Sequence, residues 1–288
     1  MKFGMAFANV GPFIHPENAV HFARACEERG LESLWTVEHV VVPAGYQARY
    51  PYSPSGKMPG AEDSPIPDPL IWLAYVAGAT EKIKLATGIL ILPQRHPAYV
   101  AKEVATLDLL SGGRTILGIG IGWLHEEFAA LGIPFEERVA RTEEACAALR
   151  TLWKPGANAF KGEHYSWDAL ESNPKPVQPG GPPIVVGGHV KGAARRAARV
   201  GDGFFPMLTE PGRLQELLAA MGEECAKLGR DPQEIEITTS LPGQDLDAIR
   251  ALEDQGVSRC VMGPPAFDRE GIEKGLDAFA DGILAKLG

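Results

Sequence analysis

Apolar residues along this chain follow two patterns, short continuous runs and longer stretches with helical spacing. The short runs are rich in Val, Ile and Leu, which is typical of strands buried on both faces of a parallel sheet. The longer stretches repeat apolar residues every three or four positions, as amphipathic helices do. The short runs predict eight strands, at residues 2–7, 31–37, 83–92, 115–121, 183–186, 203–206, 235–239 and 259–262.

Helices are predicted between these strands, and several have recognisable ends. Pro16 can begin a helix that Gly30 ends, and Asp68 can cap a helix whose first residue is Pro69. Strands that alternate with helices, with no break in composition, indicate one α/β domain over residues 1–288, a (β/α)8 TIM barrel. Further helices are predicted at residues 96–110, 138–153, 214–228 and 272–287.

Two connections are too long to be simple turns, one after the second strand and one before the fifth. Residues 40–67 contain six prolines and three tyrosines, and residues 154–182 are also rich in Pro and Gly. Long loops in compact domains are usually functional or disordered. Residues 40–67 follow a strand, so they rise from the face where barrel active sites lie. We predict that they form a lid over the substrate; an inert surface loop is the alternative.

Charge and cysteine content restrict the binding partners and the cellular compartment that we expect. The net charge is −9 and there is no basic run, which argues against nucleic acid or an anionic membrane as a partner. The four cysteines lie far apart and form no C-x-x-C pair, which favours free thiols in a reducing compartment. Met1 leads directly into the first strand, and no apolar run reaches membrane-spanning length. We therefore expect a cytoplasmic protein.

Glu38 and His39 follow the second predicted strand, where the catalytic residues of a barrel emerge. A histidine there can donate or accept a proton near neutral pH, although a structural histidine is the alternative. Arg95 follows the third strand and could meet a phosphate or solvent.

The seven histidines show no H-x-H or H-x-x-x-H pair, and there is no G-x-S-x-G motif. We therefore predict no metal site and no serine nucleophile.

Glycines mark the ends of three strands. Gly118, Gly120 and Gly122 alternate before Trp123, which indicates either close approach of a flat or phosphorylated ligand or tight packing inside a barrel. Gly88 interrupts the third strand, as a bulge or a ligand contact would. Residues 187–189 (GGH) lead from the fifth strand into a helix, where free backbone N–H groups can hold a phosphate. A tight turn without a ligand remains the alternative.

Together these segments resemble the bacterial luciferase-like monooxygenase family, in particular its coenzyme F420-dependent oxidoreductase branch. They occur in the family's order and cover nearly the whole chain. The matching segments are residues 35–39 (WTVEH), 85–89 (LATGI), 96–97 (HP), 107–114 (LDLLSGGR), 117–123 (LGIGIGW), 182–188 (PPIVVGG) and 201–203 (GDG).

The resemblance implies a (β/α)8 barrel that binds a flavin-like ring at the ends of its strands. Gly88 and Ile89 match the position of a non-proline cis peptide behind the ring. His39 would contact the ring's reactive edge, and we assign His39 and the preceding Glu38 as the catalytic residues. The other residues that we assign to cofactor binding are Gly120, Gly122, Trp123, Gly187, Gly188, His189 and Arg95, of which residues 187–189 would hold the phosphate.

Two positions depart from the family pattern. Glu38 stands where members usually have Asp, and Trp123 stands where related sugar-phosphate dehydrogenases have a glutamate, which argues against sugar phosphates as substrates. The resemblance favours hydride transfer between coenzyme F420 and a small organic molecule, in a homodimer. The alternatives are an FMN-dependent monooxygenase and a protein that binds a flavin or deazaflavin without catalysis.

Overall fold

Parallel strands close into a barrel in the computed structural model, which describes residues 1–206 and 212–287. The strands are β1 (Lys2–Met5), β2 (Ser33–Thr36), β3 (Lys84–Thr87), β4 (Leu90–Ile91), β5 (Thr115–Gly120), β6 (Asn158–Lys161), β7 (Ser166–Leu170), β8 (Ile184–Gly187), β9 (Gly203–Phe205), β10 (Glu236–Ser240) and β11 (Val257–Met262). Around the barrel the order is β1, β2, β3 with its continuation β4, β5, β8, β9, β10 and β11, and β11 pairs with β1 to close it. The predicted (β/α)8 fold is confirmed.

Helices follow the barrel strands and cover the outside. They are α1 (Pro16–Glu28), α2 (Pro69–Ala77), α3 (Pro97–Ser111), α4 (His125–Ala130), α5 (Arg138–Trp153), α6 (Lys191–Val200), α7 (Arg213–Leu228), α8 (Leu246–Glu253), α9 (Arg269–Phe279) and α10 (Ala285–Leu287), with a π-helix at Ala280–Leu284. The Asp68 carboxylate accepts hydrogen bonds from the N–H groups of Leu70 and Ile71, which confirms the predicted start of α2. No helix within residues 1–206 and 212–287 is long and apolar enough to cross a membrane.

Side chains fill the barrel interior, so the barrel is not a pore. Trp35 meets Phe205 edge to face, with ring centroids 5.3 Å apart. At the end where the strands begin, the buried guanidinium of Arg259 binds the carboxylates of Glu32 and Glu236. Because this end is closed by an ion cluster, the opposite end, where the strands finish, is left for ligands.

The third predicted strand, residues 83–92, is two strands rather than one. The peptide bond between Gly88 and Ile89 is cis, and it separates β3 from β4. Beyond β4 the chain forms a 3-10 helix, Leu92–Gln94. The apolar run is continuous across this break, since both short strands are buried, and the hydrophobic pattern therefore does not reveal it.

The long connection before β8 also differs from the prediction, because it contains an antiparallel hairpin, β6 and β7. Phe160 packs on Trp167 across the hairpin, with ring centroids 5.2 Å apart. The Glu144 carboxylate of α5 accepts hydrogen bonds from the backbone N–H groups of residues 163–165 in its turn. These strands are short and mostly exposed, and therefore lack the apolar run by which the barrel strands were predicted.

Candidate active site

Four segments converge where the barrel strands end. They are residues 37–39 after β2, the cis bulge at Gly88 and Ile89, residues 121–123 after β5, and residues 187–189 at the end of β8. All eight barrel strands run in the same direction, so their carboxyl ends share one mouth. The sequence-predicted site residues therefore lie around a single opening.

His39 is held by a carboxylate that the sequence analysis did not select. Its Nδ1 lies 3.0 Å from Oε2 of Glu127, and its side chain is 8% exposed. The edge of its ring meets the ring of Trp123, with centroids 5.7 Å apart. Since Nδ1 faces Glu127, the nitrogen left for a bound molecule is Nε2, on the other side of the imidazole.

Glu127, from the first turn of α4, is fully buried. Burial by itself raises the pKa of its carboxyl, but the hydrogen bond and charge of His39, together with the Gln94 carboxamide and the backbone N–H of Val41, lower that pKa overall. The second oxygen, Oε1, accepts hydrogen bonds from the N–H groups of Val40 and Val41 at 2.7 and 3.2 Å. A carboxylate with three donors around it is ionised at neutral pH and acts only as an acceptor.

Gln94 lies beside Glu127 and was also missed by the sequence analysis. Its side chain is 9% exposed, and its carboxamide is close enough to the Glu127 carboxylate to lower the pKa of that group, although neither of its polar atoms reaches full hydrogen-bond geometry among the described residues. The carboxamide therefore keeps hydrogen-bonding capacity that a bound molecule could use. The residue follows β4 directly, so it lies at the same mouth as His39.

Glu38 and Arg95 lie in a different cluster from His39. Glu38 is buried, accepts a hydrogen bond from the N–H of Ile91, and binds Arg95, whose Nε lies 3.0 Å from its Oε1. Arg95 also binds Asp68 at 2.7 Å. Burial by itself lowers the pKa of Arg95, but these two carboxylates outweigh it and raise that pKa. Both residues are thus accounted for by contacts within the protein.

Several of the glycines at the mouth make room for the protein itself. A Cβ at Gly118 would lie 1.9 Å from the carbonyl oxygen of Thr87, just before the cis bulge. A Cβ at Gly120 or Gly187 would lie 2.6 or 2.7 Å from the side chain of Ile89. The packing alternative is therefore the one that the structure supports for these three positions, because they accommodate the bulge.

Gly122 and Gly188 are required by their backbone conformations as well. Gly122 has φ of +75°, and a Cβ there would lie 2.6 Å from the ring of Phe128. Gly188 has φ of +137°, a region open to glycine alone, and a Cβ would lie 2.7 Å from that of Ala193. Glycine at position 188 therefore permits the tight turn that leads into α6.

The N-terminus of α6 has features that suit a phosphate. Its N-cap residue, Val190, makes no side-chain hydrogen bond to the first turn, so the N–H groups there can bind an anion. Nδ1 of His189 is buried without a hydrogen-bond partner among the described residues. Burial lowers the pKa of His189, and the guanidinium of Arg213 lowers it further. That guanidinium binds the His189 carbonyl oxygen at 3.3 Å, so a positive charge lies near the turn.

Residues 40–67, which we call the lid segment, lie against the mouth. Tyr50 contacts Trp123 and Tyr52 contacts His189, with ring centroids 5.2 and 4.6 Å apart, and the two tyrosines contact each other at 5.4 Å. Burial, with a smaller effect from Tyr50, raises the pKa of Tyr52 to about 12, so its hydroxyl stays protonated. A continuous line of aromatic rings thus joins His39, through Trp123 and the tyrosines, to His189.

The two ends of the lid segment are tied together by Asn9, which is fully buried. Its Nδ2 donates hydrogen bonds to the carbonyl oxygens of Val37 and Pro67 at 2.9 and 3.0 Å, and its Oδ1 accepts one from the N–H of Val37. Asn9 lies in a loop after β1, so the sequence pattern offers no sign of this role. The segment therefore has a fixed base on the barrel.

The comparisons with known proteins agree with this geometry. The luciferase-like monooxygenase family model matches residues 1–244. An uncharacterised protein of Mycobacterium tuberculosis is 31% identical over 277 residues, which cover 93% of this chain and 95% of that protein. An F420-dependent glucose-6-phosphate dehydrogenase of Kineococcus radiotolerans is 32% identical over 246 residues, 83% of this chain and 67% of that protein.

A solved structure shows the same fold at lower identity. The coenzyme F420 dependent tetrahydromethanopterin reductase from Methanopyrus kandleri superposes with a TM-score of 0.78 and 17% identity, over 100% of this chain and 99% of that chain. The resemblance inferred from the sequence motifs is thus confirmed by the match over residues 1–244 and by the barrel itself. This chain belongs to the luciferase-like monooxygenase family and is an oxidoreductase.

Proposed function

We propose that the protein transfers a hydride between coenzyme F420 and a small organic substrate. The observation that carries the proposal is the line of aromatic rings from His39 to His189. This line supports the proposal because it links a histidine able to move a proton to a turn suited to a phosphate. The relative from Kineococcus radiotolerans, which is named as F420-dependent, supports the deazaflavin as the cofactor.

The residues present fit such a cofactor. The uncapped N-terminus of α6, with Gly188 and His189, would hold its phosphate, and the bulge at Gly88 and Ile89 would support its ring. The carboxamide of Gln94, which lies beside Glu127, offers further hydrogen-bonding atoms for polar groups of the bound molecules. When bound, the deazaflavin supplies a carbon that accepts or donates a hydride, and it does not activate oxygen.

The chain's own groups would handle the proton that accompanies the hydride. Nε2 of His39 accepts a proton when an alcohol is oxidised, or donates one when a carbonyl is reduced. Glu127 holds the imidazole through Nδ1 during that transfer. Trp123 and the tyrosines of the lid segment exclude water from the mouth, which strengthens the hydrogen bonds within it.

We also propose that the substrate is not a sugar phosphate, although one relative is named as a glucose-6-phosphate dehydrogenase. Trp123 stands where the resemblance places a glutamate in such enzymes, and it lies among Tyr46, Tyr50 and His39. An aromatic wall of this kind suits a neutral, largely apolar substrate better than a hydrated one.

The decisive experiment is an oxygen-free assay with the purified protein. Reduced F420 is mixed with panels of carbonyl compounds and activated alkenes, and oxidised F420 with panels of alcohols, while the deazaflavin absorbance is followed. We expect turnover with at least one class in the absence of oxygen. Turnover that requires FMN and oxygen would instead establish the monooxygenase alternative.

We propose further that the protein is a homodimer in a reducing, cytoplasmic compartment. Helices α2 and α3 pack together and leave Ile71, Tyr75, Tyr99 and Leu110 exposed, which supports an apolar face for a second copy. Light scattering after size-exclusion chromatography tests the dimer; a monomer at micromolar concentration would contradict it.

The cysteines support the proposed compartment. All four are buried and free, as a reducing compartment favours.

A further inference from the structure

Two adjacent carboxylates at the start of α4 both reach back to the lid segment. Oε1 of Glu126 accepts hydrogen bonds from the N–H groups of Gln47 and Ala48 at 2.6 and 3.1 Å. Oε1 of Glu127 accepts them from Val40 and Val41. Both side chains therefore hold lid backbone in the same manner, but Glu127 alone of the two also contacts His39. A comparison of substitutions at Glu126 and at Glu127 therefore isolates the effect of the contact with His39.

The hydrogen bonds of Glu127 determine which nitrogen of His39 carries the proton. Two backbone N–H groups occupy Oε1, and an N–H group can only donate. Oε2, the other oxygen of an ionised carboxylate, can only accept, so Nδ1 of His39 must donate to it across the 3.0 Å contact. In the neutral imidazole the Nε2 atom is then an unprotonated acceptor.

We propose that Glu127 is a positioning residue that fixes His39 in the Nδ1–H tautomer and so presents Nε2 to the substrate as a proton acceptor. Because the same carboxylate binds the first residues of the lid segment, the lid and the histidine are placed together. The effect of this arrangement on turnover rests on the proposed function. The tautomer itself follows from the hydrogen bonds and can be tested without a cofactor.

Glu127→Gln is an isosteric change with a defined consequence. The two backbone donors, Val40 and Val41, require the amide oxygen at the Oε1 position, so the amide NH2 must face Nδ1 of His39. An NH2 group donates, and Nδ1 must then give up its proton and accept. The substitution therefore inverts the tautomer of His39, with the proton on Nε2, while the shape of the site is retained. Glu126→Gln is the matched control, since Glu126 holds lid backbone without touching His39.

The measurement is 15N NMR of histidine side chains in the full-length protein, labelled on its seven histidines, with His39 assigned from a His39→Gln variant. We expect the Nδ1–H tautomer for His39 in the wild type and in Glu126→Gln, and the Nε2–H tautomer in Glu127→Gln. An Nε2–H tautomer in the wild type would overturn the proposal, and so would a spectrum that Glu127→Gln leaves unchanged. The wild-type spectrum alone tests whether His39 is the Nδ1–H tautomer, so this test holds even if a variant fails to fold.

Kinetics separate this proposal from the proposed function. In the F420-linked assay we expect Glu127→Gln to lower kcat at least about 100-fold with KM changed less than about threefold, because general acid–base catalysis contributes about 10²–10⁴-fold and the wrong tautomer removes it. Glu126→Gln should instead raise KM, because it loosens the lid. If the NMR result is as expected but neither the wild type nor any variant turns over F420, the tautomer assignment stands and the proposed function fails. A Glu127→Gln variant with inverted tautomer and full kcat would overturn the positioning role.

Discussion

Glu38 and His39 are neighbours at the end of β2, yet they lie in polar clusters of opposite character. The Glu38 carboxylate is fully used by the guanidinium of Arg95 and the N–H of Ile91, and Arg95 in turn binds Asp68. His39 is bound at Nδ1 by Glu127, and within residues 1–206 and 212–287 its Nε2 has no recorded hydrogen bond.

The difference shows how to separate structural from chemical residues at a barrel mouth. A buried charge whose hydrogen-bonding capacity is used up by the protein has a structural role, because removing its partner would leave it buried and unpaired. A group with one side fixed and the other side free is prepared for a ligand. Both residues follow a barrel strand, so their position along the chain does not distinguish them.

Replacing His39 by Ala should have the largest effect, a loss of about 10³-fold in kcat, because general acid–base catalysis typically contributes about 10²–10⁴-fold. The free energy of unfolding should also fall, by about 1–3 kcal/mol, because the buried Glu127 carboxylate loses its donor at Oε2. Steady-state kinetics and urea unfolding measure the two effects. His15→Ala, at an exposed position before α1, is the matched control. A His39→Ala variant with wild-type kcat would remove His39 from the reaction.

Replacing Glu38 by Gln should act on stability instead. It leaves the guanidinium of Arg95 without its main partner, and breaking a buried ion pair costs about 3 kcal/mol of unfolding free energy. Glu103→Gln is the control, because Glu103 lies 3.9 Å from Arg95 and is 42% exposed, and we expect a change below about 0.5 kcal/mol. Urea unfolding gives both values. A folded Glu38→Gln variant that loses most of its kcat would show that Glu38 is catalytic after all.

The pH dependence of the unfolding free energy tests whether Glu127 is ionised in the folded protein. Its folded pKa is lowered, so its ionised form stabilises the fold above about pH 4.3, the ordinary value for Glu, and this contribution disappears as the pH falls through the lower folded value. The difference in unfolding free energy between the wild type and Glu127→Gln should therefore be steady near neutral pH and shrink below about pH 4. A difference that grows on acidification has the wrong sign and would contradict the ionised state.

Replacing Gln94 by Leu should have the smallest effect on stability. The amide lies against the Glu127 carboxylate without full hydrogen-bond geometry among the described residues, so Gln94→Leu should change the unfolding free energy by less than about 1 kcal/mol. The same change should weaken cofactor or substrate binding by about tenfold, since a hydrogen-bonding group is lost. Thermal unfolding and ligand titration measure these effects. Lower stability with unchanged binding would make Gln94 a structural residue.

Much of the fold was predictable from the sequence, because burial on both faces gives barrel strands their continuous apolar runs and caps such as Asp68 have a local signal. The hairpin β6–β7 was not, since its stability comes from the Glu144 carboxylate and the Phe160–Trp167 contact rather than from its own pattern. Gly88 by itself indicated an interruption of the third strand, but a cis peptide was expected there only through the resemblance.

The site was predictable in part. His39 and residues 187–189 were selected from their places after strands, and they do lie at the mouth. Glu127 was not selected because it lies 88 residues from His39, and only the closure of the barrel brings them together. Its one local signal was its place four residues after Trp123, on a short helix whose first turn carries two carboxylates. Gln94 was overlooked beside the charged Arg95, whose charge is taken up by Glu38 and Asp68.

The most direct test of the account is titration of the cofactor-free protein with coenzyme F420 and, separately, with FMN, followed by ligand fluorescence. We predict micromolar or tighter binding of F420 and binding of FMN at least about tenfold weaker, a difference of about 1.4 kcal/mol. Preference for FMN would contradict the hydride-transfer proposal and favour a monooxygenase. If neither molecule binds, then the N-terminus of α6 and the bulge at Gly88 are features of packing, and the account of the active site is wrong.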